Sequence, residues 1–190
     1  MENQTPSTQD NSEAVFIFAI GIDQQTSREF AINLINWSDK NPNRALRINI
    51  NSQGGNILDS LFLREEFARL RKRGHYLTMA AYGRSASCAA WLLQAADKRI
   101  IGADSWLLIH EVTSTMNGSF SRSAIKAELD RVDELQAQTN ELLCRRSKLT
   151  PEKILANIAG GKDWWLNART SLNEGLVDEI EEAPPFKAAA

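Results

Sequence analysis

Histidine is scarce in this chain: only His75 and His110 occur among 190 residues. That scarcity argues against a histidine-rich metal site, and it narrows any catalytic imidazole to one of two positions. Cysteine is equally rare. Cys88 and Cys144 form neither a metal-ligand spacing nor a disulfide framework. They read as two buried thiols of a reducing, cytoplasmic compartment. No apolar run approaches the roughly 18 residues of a membrane-spanning helix, so no membrane segment is expected. A basic excess is missing too. The formal net charge of -2 leaves no electrostatic footprint for nucleic acid. The opening residues, MENQTPSTQDNSE, have neither the basic nor the apolar region of a secretory signal, so none is expected.

What is present suits one globular domain, since 190 residues with 43% hydrophobic content can bury a substantial core. The polar stretch 1–13 is expected to be a disordered tail, 14–182 the folded domain, and 183–190 a loose tail. Apolar runs and alternations predict strands over 15–20, 46–50, 76–82, 99–101, 106–109 and 176–180. Helical spacing predicts helices over 26–37, 56–73, 87–96, 121–147, 150–159 and 168–173. Thr150 and Pro151 supply a cap and a first-turn proline. Strands alternating with helices predict an α/β fold with mostly parallel pairing.

Acyl transfer requires a nucleophile, a base, an orienter for the base and donors for an oxyanion. Ser87 follows a strand that ends at Gly83 and stands at the start of a small-residue helix. Unpaired N–H groups there favour developing negative charge. Read from its surroundings alone, Ser87 is equally a helix cap, and Ser85 competes with it. Gly54-Gly55 joins a strand to a helix and permits close backbone approach. No Gly-Lys-Ser/Thr follows, so it is not a phosphate loop. His110 ends an apolar strand, whereas His75, beside Arg71, Lys72 and Arg73, reads as part of a solvated turn. Asp163, before Trp164-Trp165, suits the orienter of a histidine. Asp97, Asp104 and Asp178 are further acids that spacing leaves open.

Four segments in this order resemble the Clp protease proteolytic subunit (ClpP) family. They are Asn51-Ser52-Gln53-Gly54-Gly55, Gly83-Arg84-Ser85-Ala86-Ser87-Cys88-Ala89, Trp106-Leu107-Leu108-Ile109-His110-Glu111, and Lys162-Asp163-Trp164-Trp165-Leu166-Asn167-Ala168 with Glu174-Gly175-Leu176-Val177-Asp178-Glu179-Ile180 beyond it. The resemblance runs from about Val15 to Ile180. It implies the ClpP/crotonase fold of repeated ββα units with a long handle helix, here 121–147. It implies a serine endopeptidase with Ser87 as nucleophile, His110 as base and Asp163 as acid, and it selects Ser87 over Ser85. The implied oxyanion donors are the backbone N–H groups of Gly55 and Cys88. No metal or organic cofactor is called for. The implied partners are extended polypeptide substrates and further copies of the chain in a ring, stacked as a double ring with the sites inside.

The sequence also departs from the family pattern. Gln53 replaces a usual proline, and 111–116 lacks the usual Gln-Pro and paired glycines. Arg47 and Asn49 stand where an aromatic face receives the docking loops of an AAA+ unfoldase, which argues against such a partner. The whole resembles a divergent member of the bacteriophage or prophage kind. Two other functions remain open on sequence: a non-catalytic ring or scaffold subunit, and a crotonase-type acyl-CoA enzyme.

Overall fold

The protein was analysed as a computed structural model that describes residues 13–184. The tails expected over 1–13 and 183–190 lie outside the described residues, apart from residues 13, 183 and 184.

The first helix begins earlier than its apolar spacing suggests, because Asp23 caps it. The Asp23 carboxylate accepts the Thr26 amide at 2.8 Å, and the Thr26 hydroxyl oxygen accepts the Asp23 amide at 3.0 Å. This reciprocal box fixes the start of α1 (Gln24–Lys40). α1 follows β1 (Ala14–Phe18) and leads to β2 (Leu46–Ser52), α2 (Ile57–Lys72), β3 (Leu77–Ala86) and α3 (Cys88–Leu92). A 3₁₀ turn, Leu93–Ala95, completes the helix expected over 87–96. The chain continues through β4 (Lys98–Gly102), β5 (Trp106–Ile109), α4 (Arg122–Cys144), α5 (Pro151–Ile158), β6 (Trp164–Asn167), α6 (Ala168–Asn173) and β7 (Glu179–Glu181).

The main sheet runs β1-β2-β3-β4-β7, and every pairing in it is parallel. Ile48, Ile50, Leu77, Met79 and Ile101 share one face of this sheet and are almost inaccessible, whereas β2 alternates to place Arg47 and Asn49 on the other face. Each such side chain contributes roughly 1.5–3 kcal/mol of burial. A second, smaller layer grows from the ends of these strands. It holds an isolated Ile22–Gly55 bridge, a Ser52–Ser85 rung, and β3 paired to β5 from Arg84–Trp106 to Ala86–Leu108. A strand of the main sheet followed by a short rung and then a helix is the ββα unit. The α/β architecture is thus the ClpP/crotonase-like fold.

Three local differences from the sequence reading have physical causes. β3 does not stop before Gly83. The glycine adopts φ 71°, turns the strand, and lets it continue to Ala86 as the partner of β5. β7 starts at Glu179 rather than 176, because Leu176 and Val177 are buried in the turn before it. His75 does not occupy a solvated turn. It is buried beside Trp37, with Nδ1 2.8 Å from the Arg44 carbonyl and Nε2 2.7 Å from the Ser38 hydroxyl. A carbonyl only accepts, so Nδ1 donates and Nε2 accepts from Ser38. Both nitrogens are occupied by structure.

Arg99 fastens the far end of the domain. It is almost fully buried and pairs its guanidinium with Asp178 at 2.5 and 3.1 Å. It also donates to the Gln94 side chain at 2.5 Å and to the carbonyls of Gly175 and Arg146 at 2.9 and 3.2 Å. Asp178 and Asp97 are both committed to structure. Asp97 binds Arg71 at 2.6 Å and accepts the Leu77 amide at 2.9 Å.

Candidate active site

β3 delivers two serines in succession, and its alternation separates them. Ser85 faces inward, is wholly buried, and its hydroxyl has no hydrogen-bond partner. Ser87 lies two residues on, past the strand end, and is half-buried. Its backbone adopts φ 55° and ψ -126°, a region strained for any residue with a Cβ. The amide of Ser87 donates to the Leu108 carbonyl at 2.8 Å, which pins the turn to β5. Although Ser87 precedes α3, its side chain makes no cap hydrogen bond. Its one polar contact is the Cys88 sulfur at 4.0 Å. The helix-cap reading therefore fails, and the hydroxyl is held out with no structural task.

Gly54 and Gly55 press against this turn. A Cβ on Gly54 would lie 2.7 Å from that of Ser87 and 3.0 Å from the Cys88 nitrogen. A Cβ on Gly55, at φ 155°, would fall 2.0 Å from the Ile22 carbonyl oxygen. Only glycine permits this approach. Ile22 bonds the two peptide groups flanking Gly55, accepting from Asn56 at 2.8 Å and donating to Gly54 at 2.9 Å. In a parallel rung that leaves the Gly55 amide facing the other way. The Gly55 carbonyl accepts from the Cys88 thiol at 3.2 Å. The Cys88 amide is the first of α3, where an N–H has no partner within the helix.

His110 follows the last residue of β5. It lines, together with Gly55, Ser87, Cys88, Val112 and Thr139, a cavity of about 60 Å³. Its Nδ1 lies 2.6 Å from the Glu111 carbonyl. The carbonyl must accept, so Nδ1 carries a hydrogen, and in the neutral ring the lone pair is then on Nε2. That is the tautomer a general base requires when Nε2 is the working nitrogen.

Asp163 reaches this neighbourhood through an element that the sequence did not reveal. β6 pairs antiparallel with β5, from Trp106–Asn167 to Ile109–Trp164. The ladder ends at Ile109–Trp164, so His110 and Asp163 each stand one residue beyond its last rung. The Asp163 side chain is exposed, not desolvated by its aromatic neighbours. Among the described residues it takes no hydrogen bond or ion pair. The structure thus brings Ser87, His110, Gly55 and Cys88 to one cavity whose lining does not include Asp163, and the Glu111 carbonyl holds His110 Nδ1.

Sequence reasoning missed the contribution of α4. Thr139 and Leu143 close the cavity, and the Gln136 side chain accepts the Val112 amide at 2.7 Å. Further along, Glu128 accepts from the hydroxyl of Ser114 and pairs with Arg131 at 2.5 Å. Arg131 first, then Ser114, hold the Glu128 carboxyl down to about 2. The segment after His110 is thereby strapped to α4. The helical spacing over 121–147 gave no hint of these polar links. The described residues contain no cluster of metal-ligating side chains. None of their helices is long and apolar enough to cross a membrane.

The family model for Clp protease matches residues 4–184. It spans nearly the whole sequence, and the chain belongs to the Clp protease family.

Proposed function

We propose that this Clp protease family member is a serine endopeptidase that cleaves extended polypeptides, with Ser87 as nucleophile, His110 as general base and Asp163 as orienter. One observation carries the reading. An uncommitted serine hydroxyl on a strained turn shares a cavity with an imidazole whose Nδ1 donates to the Glu111 carbonyl and whose Nε2 makes no hydrogen bond among the described residues.

His110 Nε2 takes the Ser87 proton as Oγ attacks the peptide carbonyl. The amides of Gly55 and Cys88 receive the oxyanion, each worth about 3 kcal/mol of barrier. The imidazolium then needs a counter-charge. Asp163, one residue beyond the β5–β6 rung that precedes His110, supplies it by a side-chain rotation that replaces the Glu111 carbonyl. His110 passes its proton to the leaving amine, and water repeats the cycle on the acyl-enzyme. Each step uses only side chains and amides of the chain.

The working form in this reading is a double ring enclosing the sites. Exposed apolar side chains support it: Ile125 and Leu129 on α4, and Val15 and Ile17 on β1. A docked unfoldase is not part of the reading. Arg47 is tied to Asn49 at 2.9 Å, to Glu181 at 2.5 Å and to the Tyr82 hydroxyl, so its surface is polar and already engaged.

Hydrolysis of an unfolded, fluorescently labelled protein tests the roles. Ser87→Ala is expected to abolish turnover. His110→Ala and Asp163→Asn should lower kcat by about 100-fold to 10,000-fold. Turnover by Ser87→Ala at the unmodified rate would sink the assignment.

A further inference from the structure

A second cavity, of about 280 Å³, opens between α2, the turn before β4 and the end of α4. It shares no lining residue with the Ser87 cavity. Four arginines line it, Arg64, Arg71, Arg145 and Arg146, against one carboxylate, Asp97. That is a strong local excess of positive charge in a chain whose net charge is -2.

The carboxylates offset it only loosely: each arginine has one nearby, but beyond the Arg71–Asp97 pair at 2.6 Å the distances are 3.5 Å for Arg64–Glu65, 3.7 Å for Arg145–Glu141 and 3.8 Å for Arg146–Asp178. Asp97 is consumed by Arg71. Asp178 is itself committed to Arg99. Arg146 donates instead to the backbone carbonyls of Ala96 and Asp97. Burial first, then the neighbouring Arg99, pull its guanidinium below the ordinary arginine value. Arg64 is the least satisfied. Its one hydrogen bond is to Glu65 at 3.5 Å, and its Nε is buried with no acceptor. A buried donor without a partner is costly and rare in native proteins.

We propose that this cavity binds a phosphate-type oxyanion, either free phosphate or the phosphate group of a small monoester. Guanidinium forks match the paired oxygens of phosphate, and their charge persists at every physiological pH. Such an anion supplies acceptors to the terminal guanidinium nitrogens of Arg64, whose one hydrogen bond is the 3.5 Å contact with Glu65, and bridges α2 to the end of α4. Arg145, half-exposed at the helix end, closes over it.

Calorimetric titration of the full-length protein with inorganic phosphate and with phenyl phosphate, at fixed ionic strength, tests this. One saturable site per chain is expected. Tighter binding of phenyl phosphate identifies a monoester as the ligand, and tighter or equal binding of phosphate identifies the free anion. The Arg64→Gln, Arg145→Gln double variant should bind at least tenfold more weakly, with its circular dichroism and Ser87 labelling unchanged. Arg145→Gln alone, at an exposed position, serves if the double variant fails to fold. Absence of saturable binding, or equal binding by the variants, overturns the proposal. So does a variant that loses its oligomeric state while the unmodified protein binds no phosphate, since the arginines then receive carboxylates of a second copy. The Ser87 chemistry is untouched by any of these outcomes.

Discussion

Ser87 is held at φ 55°, where a Cβ costs on the order of 1–3 kcal/mol. That strain aims its hydroxyl away from α3 and toward the cavity shared with His110. Glycine relieves the strain and alanine does not. Ser87→Gly is therefore expected to unfold later than Ser87→Ala, by roughly 1 kcal/mol in urea titration. Equal stabilities would mean that the turn is not strained. The sequence left Ser85 and Ser87 level on local grounds. The backbone separates them, because the strand runs through Gly83 and buries Ser85 completely. His75 shows the reverse failure. Its basic neighbours in sequence suggested solvent, yet Ser38 and Arg44 arrive from distant positions to bury it. Such long-range partners leave no local signal.

Among the elements, β6 carries the largest correction. Its four residues, Trp164–Asn167, are too short for periodicity to declare a strand. Yet its pairing with β5 ends at Ile109–Trp164, the rung just before His110 and Asp163. The long helix was legible, and its bounds shrank only from 121–147 to Arg122–Cys144. Its polar straps to the segment after His110 were not legible, because Gln136 and Glu128 look like ordinary surface residues. β4 and β7 depend on Arg99. Burial raises the Asp178 carboxyl, but the hydrogen bonds and charge of Arg99 outweigh it and hold the group below its ordinary 3.8. A lowered folded-state value contributes stability above pH 3.8, and that stability is lost as pH falls through the lower folded value. The unfolding midpoint should therefore hold steady above about pH 5 and decline below about pH 4. Arg99→Met should cost about 3 kcal/mol at pH 7 by stranding the partners of a buried guanidinium, and its acid decline should be shallower. An unchanged acid profile in that variant would contradict the role given to this pair.

For the molecule as a whole, the alternation of strands and helices was enough to read the α/β architecture. Of the second strand layer only β5 was readable from its apolar run, because the other pieces are single rungs and strand ends. Assembly is the remaining property of this scale. Ile125 and Leu129 are exposed on a helix whose buried residues cluster at its far end. Ile125→Asp with Leu129→Asp is expected to lower the sedimentation coefficient from that of a double ring while leaving the circular dichroism unchanged. Unaltered sedimentation would remove α4 from the interface. The central claim, that Ser87 is the nucleophile of a working peptidase site, is tested most directly by reaction with a fluorophosphonate and mass mapping of the adduct. The expected result is one adduct per chain, on Ser87, absent from Ser87→Ala. An adduct that persists in Ser87→Ala, or a native chain that takes up no probe, would contradict it.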